Sequence, residues 1–334
     1  MTILVSGGLG FIGSNFIENF LRDNSKESII NIDNLGYAAR KIDPFVENDR
    51  YTFYQINIQD KSSVLNILNN IKPRALINFA AETHVDRSIK NSDIFINSNI
   101  LGVYSILEAV KGYLTSNVVT DFKVIQISTD EVFGSLPKED KPFTEKSQYQ
   151  PNSPYSSSKA SSDQLMRAWF HTYNIPTIIT NCSNNYGPYQ YPEKLIPVVI
   201  KKAVTGQKIP IYGDGKNIRD WIYVDDHCDA INKILLDGKI GESYCIGGNA
   251  ELSNNMIVNK ICETLDQCIP LKNGSYKNLI NYIEDRAGHD FRYAINSSKI
   301  RKELGWEPKY NIDKGLKKTI KWYLSNMSWL KNNG

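Results

Sequence analysis

The chain has 334 residues, with 41% hydrophobic and 22% charged side chains and a formal net charge of +3. A chain of this length can bury about three quarters of the surface it exposes when unfolded, its balance is that of a globular protein in water, and so small a scattered charge argues against nucleic acid as a partner. Nowhere do 18 apolar residues run together, so a membrane partner is not expected, and the opening of the chain directly on a strand pattern leads us to expect a cytoplasmic protein.

Apolar runs at 3–6, 29–33, 52–56, 75–80, 124–128 and 177–181 read as strands, and amphipathic stretches at 12–21, 62–70, 97–112 and 157–173 as helices between them. That alternation predicts an α/β fold, a Rossmann-type doubly wound parallel sheet with helices on both faces. After about Cys182 the rhythm changes to loops rich in Asn, Gly, Pro and Tyr. Helices are expected at 192–205, 225–237 and 253–265, a late strand at 244–246 that could rejoin the sheet, and helical stretches at 299–304 and 312–324. The predicted division is a dinucleotide-binding domain of 1–182 plus about 221–247, and a smaller mixed α/β substrate-binding lobe of about 183–220 plus 248–334.

The run Gly7-Gly8-Leu9-Gly10-Phe11-Ile12-Gly13 follows the first strand and opens the first helix. Gly7, Gly10 and Gly13 permit a tight turn, close approach of phosphate to backbone, and helix packing on strand. The helix N-terminus then offers unpaired N–H groups to a pyrophosphate. Asp33 ends the second strand, where a carboxylate accepts the ribose hydroxyls and repels a 2′-phosphate, so NAD is favoured; Arg40 leaves an opening for NADP. Asn57 and Ile58 at one strand end, and Ala80, Ala81 and Thr83 at another, lie where adenine and the nicotinamide ribose would pass.

Tyr155 and Lys159 are four residues apart and share a helix face. A lysine ammonium there favours phenolate, so a tyrosine pKa below the usual value of about 10 is expected. Such a pair can take a proton from an alcohol while a cofactor takes hydride. Thr129-Asp130-Glu131 adds two adjacent carboxyl groups that simple alcohol oxidation does not need. Once a carbonyl forms beside a C–H bond, one carboxylate could remove that proton. The other, kept protonated by its neighbour's charge, could protonate a departing hydroxyl. On a regular strand residues 130 and 131 would face opposite ways, so the chain must leave extended geometry near Thr129. The five cysteines (182, 228, 245, 262, 268) form no CxxC pair, and the four histidines show no ligand spacing; reduced thiols and no metal are expected.

Together, Gly7 to Gly13 and Tyr155-x-x-x-Lys159 resemble the extended short-chain dehydrogenase/reductases. The segments Thr129-Asp130-Glu131, Asn181-Cys182-Ser183-Asn184-Asn185-Tyr186-Gly187-Pro188, Pro192-Glu193-Lys194-Leu195-Ile196-Pro197, Tyr212-Gly213-Asp214-Gly215 and Ile218-Arg219-Asp220-Trp221 narrow the resemblance to the dTDP-glucose 4,6-dehydratases, over nearly the whole chain. The resemblance implies a hydro-lyase that uses bound NAD to remove water from dTDP-glucose, with Thr129, Asp130, Glu131, Tyr155 and Lys159 as catalytic residues. It extends the cofactor set to Phe11, Ile12, Asn34, Ser98, Cys182 and Asn185. It assigns substrate contacts to Thr83, Thr129, Asn184, Lys194, Leu195, Tyr212, Arg219, Asn254, Arg286 and His289. His84 stays open between site lining and packing. The family's pattern is broken at Gly36, Asn57, Phe133, Asn249-Ala250 and Ala287, none of them a catalytic group. A homodimer through a four-helix bundle of the 97–112 and 157–173 helices is also implied, and a 6-deoxy sugar such as rhamnose as a downstream product. Three alternatives remain open at this point: the same reaction on UDP-glucose, an NAD-dependent nucleotide-sugar epimerase, and a catalytically dead dinucleotide-binding regulator.

Overall fold

The computed structural model describes residues 1–117 and 119–332. Six strands build outward from the first: β1 (Thr2–Ser6), β2 (Ser28–Asp33), β3 (Tyr51–Gln55), β4 (Ala75–Asn78), β5 (Lys123–Thr129) and β6 (Thr177–Cys182). The chain then leaves through β7 (Asn184–Tyr186), β8 (Ile209–Tyr212) and β9 (Ile218–Tyr223). It returns as β10 (Ser243–Ile246) and leaves again as β11 (Glu251–Ser253) and β12 (Ile280–Ile283). The main sheet has the order β3-β2-β1-β4-β5-β6-β10, with every pairing parallel. This is the doubly wound sheet expected from the sequence, and 244–246 does rejoin it.

Side-chain alternation along β1 divides the core in two. Ile3 and Val5 point to one face, where helices Phe11–Asp23 and Val224–Asp237 pack, together with Ile300 and Trp306. Leu4 points to the other face, under helices Lys61–Ile71, Gly102–Ser116 and Pro154–Tyr173. A third core joins helices Leu195–Val204, Asn254–Cys268 and Ile312–Ser325 around two small sheets, β11-β9-β7 and β12-β8.

Strand order reverses between β1 and β4, and crevices at such a switch point, at the carboxyl ends of the strands, are where ligands bind in open α/β sheets. Gly7, Asp33, Thr129 and Cys182 all lie at these carboxyl ends. Local chemistry shapes that edge. β4 stops at Asn78 rather than at the expected residue 80 because the Asn78 side chain accepts from Ala80 N–H at 3.2 Å and turns the chain. The helix expected from 192 begins at Leu195, which leaves Pro192 to Lys194 as a turn facing the crevice. The 97–112 helix starts with a π-helical stretch, Ile96–Leu101, before Gly102–Ser116. In that stretch the Asn99 side chain pairs with both backbone groups of Glu82, at 2.8 and 2.9 Å.

Gly7 carries the tightest constraint at the crevice. Its φ is +72°, and a Cβ there would lie 2.5 Å from Ala80 N on the neighbouring strand end. Gly7→Ala should therefore both strain the backbone and push β1 from β4, costing at least about 2 kcal/mol. Thermal unfolding of the purified variant should show a clear loss of stability, and an unchanged melting temperature would contradict the close approach.

Candidate active site

Two adjoining cavities, of about 290 and 230 Å³, run along the carboxyl edge of the sheet and share Gly7, Gly10, Ala38, Phe79, Ala81 and Thr83. The first is lined by Asp33, Asn34, Asn57, Ile58, Ala80 and Ser98. The second is lined by Phe11, Ile12, Gly13, Thr129, Asp130, Glu131, Tyr155, Lys159, Cys182, Asn184, Asn185 and Lys194. Every cofactor and catalytic position expected from the sequence therefore borders one continuous trough.

The trough fits a dinucleotide. Gly13 lets the first helix close on the loop, since a Cβ there would sit 2.4 Å from the Gly7 carbonyl. The N-cap residue of that helix is Gly10, which has no side chain to satisfy the first N–H groups. Asp33 is buried and accepts from Leu9 N–H at 3.0 Å and Leu35 N–H at 2.8 Å, which fixes the carboxylate at the end of β2. Burial raises its pKa, and those two backbone donors oppose the rise. Arg40, the residue that left room for a 2′-phosphate, is stacked 3.7 Å over the ring of Tyr189.

The chain leaves extended geometry where the two carboxyl groups require it. β5 ends at Thr129, and Asp130–Phe133 form a 3₁₀ turn whose first N–H groups are capped by the Thr129 hydroxyl, which accepts from Glu131 N–H at 3.2 Å. Both carboxyl groups consequently reach the same cavity. Asp130 is 1% exposed; Thr129 donates to its Oδ1 at 3.3 Å, and its Oδ2 has no hydrogen-bond partner among the described residues. Its pKa is pushed well above the ordinary carboxyl value, first by burial, then by the charges of Glu131 and Asp220. Burial also raises Glu131, but Lys194, Arg286 and Arg219 pull it back. The two neighbouring acids thus differ in their surroundings: Arg219 alone of the nearby cations opposes the rise at Asp130, while Lys194, Arg286 and Arg219 together oppose it at Glu131.

Helix Pro154–Tyr173 brings Tyr155 and Lys159 to the same wall. Ser153 and Ser156 form a reciprocal capping box at 3.0 Å each, and Pro154 takes the first helical position. The Lys159 ammonium is 3% exposed and donates to the Ile127 carbonyl at 2.7 Å. The structure corrects the expectation of a depressed tyrosine pKa. Burial, then Glu131 and Cys182, push the Tyr155 phenol well above its ordinary value, and the hydrogen bond with Thr129 only partly opposes them. The same-face spacing was right, but this lysine is held by a carbonyl of β5, and the phenol lies beside acids.

The expected substrate contacts fall into four groups. Thr83, Thr129, Asn184 and Lys194 line the second cavity. Tyr212, Arg286 and His289 gather beside it: Tyr212 donates to Asp86 Oδ2 at 3.2 Å, Arg286 Nη1 to Asp86 Oδ1 at 3.1 Å, and His289 Nδ1 lies 2.6 Å from Asp285 Oδ1. Leu195 and Asn254 border neither cavity. Leu195 packs on the third core, and Asn254 starts a helix with its N–H on the Asn217 carbonyl at 3.0 Å. Arg219 is buried, stacks 4.3 Å over Tyr293 and donates to the carbonyls of Ile218, Asp290 and Phe291. Of the open positions, His84 accepts from Arg87 N–H and lies 3.3 Å from the Glu193 carbonyl. Phe133 packs on Phe143 and Tyr149.

Comparison with known proteins agrees with this geometry. The family model described as GDP-mannose 4,6 dehydratase matches residues 4–319. The dTDP-glucose 4,6-dehydratase of Neisseria meningitidis is 46% identical over 99% of this chain and 95% of its own length. A crystal structure of the Bacillus anthracis dTDP-glucose 4,6-dehydratase in complex with NAD superposes with a TM-score of 0.88 at 43% identity, covering all of both chains. One from Streptomyces venezuelae, also with NAD bound, gives 0.91 at 37% identity, again over all of both chains. The chain belongs to the dTDP-glucose 4,6-dehydratase family. Among its described residues no helix is long and apolar enough to cross a membrane, and no cluster of His, Cys, Asp or Glu could hold a metal.

Behind the family's Tyr and Lys, sequence reasoning missed a second layer. Asp163, one helical turn beyond Lys159, is buried and accepts from Ser128 Oγ at 2.6 Å, Tyr149 Oη at 3.1 Å and Asn181 Nδ2 at 3.4 Å. Its place at the i+4 position from Lys159 was the signal that could have found it. His227, also buried, lies 2.9 Å from Asn185 Oδ1, and burial lowers it to about 3.

Burial raises Asp163 from 3.8 to about 6. The folded protein therefore binds this proton more tightly than the unfolded chain. The favourable contribution is fully present below about 3.8 and is lost as pH rises through about 6. Asp163→Asn should thus be relatively more stable at pH 7 than at pH 4, by up to roughly 3 kcal/mol in the wild-type-minus-variant difference. Denaturant unfolding of both proteins across that range measures it, and a pH-independent difference would contradict the assignment.

Proposed function

We propose that this protein converts dTDP-glucose to dTDP-4-keto-6-deoxyglucose by oxidation at C4, elimination of water across C5–C6 and return of the hydride to C6. The observation that carries this reading is the turn at Thr129, which brings a buried Asp130, a cation-facing Glu131, and Tyr155 with Lys159 onto one cavity beside a glycine-lined dinucleotide trough. Asp33, the glycine turn and the helix N-terminus would hold NAD, which supplies a hydride acceptor and, when oxidised, a positive charge near Tyr155.

In this reading Thr129 orients the sugar C4 hydroxyl and Tyr155 Oη takes its proton. The C4 carbonyl then acidifies the C5 proton, which Glu131 removes. Asp130 gives its proton to the C6 oxygen, so that the C6 hydroxyl departs as water, and Glu131 returns a proton to C5 once C6 has been reduced. Burial and the neighbouring charges of Glu131 and Asp220 raise the pKa of Asp130, which favours its protonated form and supports the role of acid. The raised pKa of Tyr155 implies that the phenol acts as base only with additional positive charge beside it. Asn184, Lys194, Tyr212, Arg219, Arg286 and His289, with Leu195 and Asn254, are assigned to the nucleotide diphosphate side. Residues 1–182 plus about 221–247 form the NAD-binding domain in this reading and the remainder the sugar-nucleotide lobe, with the Ser298–Trp306 segment returning to lie on the first.

The oligomer is part of the same reading. Leu101, Tyr104 and Tyr173 are 46%, 44% and 44% exposed on the helical surface formed by the Gly102–Ser116 and Pro154–Tyr173 helices. Pairing of these helices between two copies in a four-helix bundle would cover them. We place the protein in the cytoplasm, in keeping with five free cysteines. Its keto sugar is then available for conversion to a 6-deoxy sugar such as rhamnose.

Incubation with dTDP-glucose should give a 4-keto-6-deoxy product whose alkaline absorbance reports the ketone. Glu131→Gln should still reduce bound NAD on mixing with substrate yet stall before elimination, with turnover lower by at least about a hundredfold. Tyr155→Phe should abolish even the first reduction. Normal turnover by Glu131→Gln, or formation of the galactose isomer by the wild type, would contradict the reading. Sedimentation should separately show a dimer that Tyr104→Glu weakens; a monomeric wild type would contradict the helix pairing.

A further inference from the structure

Three segments from distant parts of the chain meet over the dinucleotide trough. Tyr37, on the loop after β2, donates its phenol hydrogen to Glu193 Oε1 at 2.6 Å. Glu193 belongs to the turn that precedes helix Leu195–Val204, beyond the excursion from β6. Arg87, on helix Val85–Lys90, brings Nε to 3.7 Å from Glu193 Oε2 and lays its guanidinium 3.6 Å from the centre of the Tyr37 ring. Flanking contacts run in the same direction: Lys194 Nζ donates to the Thr83 carbonyl at 2.7 Å, and Arg40 covers the ring of Tyr189.

The position of this bridge gives it meaning. Ala38, next in chain to Tyr37, and Thr83, whose carbonyl accepts from Lys194 beside Glu193, are among the residues common to both cavities. The contacts therefore cross the waist between the Asp33 end of the trough and the Tyr155 end. Tyr37 lines the first cavity and Glu193 the second, so the bridge ties a wall of one to a wall of the other. Burial, then Glu193, raise the pKa of Tyr37, so the phenol keeps its donor hydrogen throughout the neutral range.

We propose that Tyr37, Glu193 and Arg87 form a clasp that retains the dinucleotide through the whole reaction cycle. The inference rests on the functional reading above. In an oxidation followed by elimination and reduction, the hydride taken from C4 must be present several steps later. If the reduced dinucleotide left early, a 4-keto sugar would be stranded and C6 could not be reduced. An ordinary dehydrogenase has the opposite need, because it must exchange its cofactor at every turnover. Here a loop and a short helix of the cofactor lobe are fastened to the substrate lobe by a charge-assisted hydrogen bond, an ion pair and a cation–π contact in series. These residues position and hold the cofactor, and none of them needs to touch the reacting atoms.

The test uses holoenzyme loaded with NAD and chased with an excess of a fluorescent NAD analogue, so that fluorescence reports the dissociation rate. Tyr37→Phe and Glu193→Ala should each speed dissociation roughly tenfold or more. The double variant should exceed the faster single one only slightly, since both remove the same contact. During turnover, the variants but not the wild type should shed NADH into solution, detectable with an oxidase specific for the free cofactor. Tyr37→Phe deletes one oxygen and keeps the ring beneath Arg87, so it decides the matter if Glu193→Ala fails to fold. Equal dissociation rates for wild type and Tyr37→Phe would overturn the clasp. Failure of wild-type holoenzyme to form any 4-keto product would instead overturn the functional reading, while the dissociation comparison could still be made.

Discussion

The abrupt end of β5 is the constraint on which the site depends. Had the strand continued past Thr129, Asp130 and Glu131 would have pointed to opposite faces of the sheet, one into each core. The Thr129 hydroxyl, by capping Glu131 N–H, converts the strand into a 3₁₀ turn and delivers both side chains to one cavity. The same hydroxyl bonds to Asp130 and to Tyr155, so one residue ends the strand and touches both of these groups.

From that geometry the electrostatics follow with little further design. Asp130 is packed on the side of Glu131 and Asp220, and burial with like charge favours its protonated form. Glu131 faces Lys194, Arg286 and Arg219, which favour its ionised form against the same burial. The roles of acid and base proposed for these adjacent groups thus run against their ordinary acidities, since an aspartic acid starts at 3.8 and a glutamic acid at 4.5. Neither role is free of cost to the fold. Asp163 and Asp220, the two carboxyl groups behind the site, are both raised to about 6 and so are poorly stabilised as anions at neutral pH. Part of the protein's stability is given up to keep this end of the sheet dry and charged.

Much of the fold was legible because its signals are local. The apolar runs of the first six strands, the glycine turn and Asp33 each lie within a short stretch, and their order alone implies the switch point where the trough lies. The departure from extended backbone at Thr129 could be deduced from the requirement that two adjacent acids meet one substrate. What could not be read was set by tertiary contact. β7 and β11 are three residues each and carry no periodicity of their own. The pKa of Tyr155 rises because the phenol is buried and lies beside Glu131, on the turn after β5, and the cysteine of β6, which a four-residue spacing with Lys159 does not encode. Tyr37 and Glu193 are 156 positions apart, and nothing in either neighbourhood announces the other.

The central claim is that one hydride is borrowed from C4, kept inside the closed trough and returned to C6 of the same molecule. It is tested most directly by turning over an equimolar mixture of unlabelled dTDP-glucose and dTDP-glucose deuterated at C4, then examining the C6 methyl group by mass spectrometry. The account predicts that each labelled substrate gives product with its deuterium at C6, and that unlabelled product acquires none. Deuterium lost to solvent, left at C4, or shared between the two populations would contradict it.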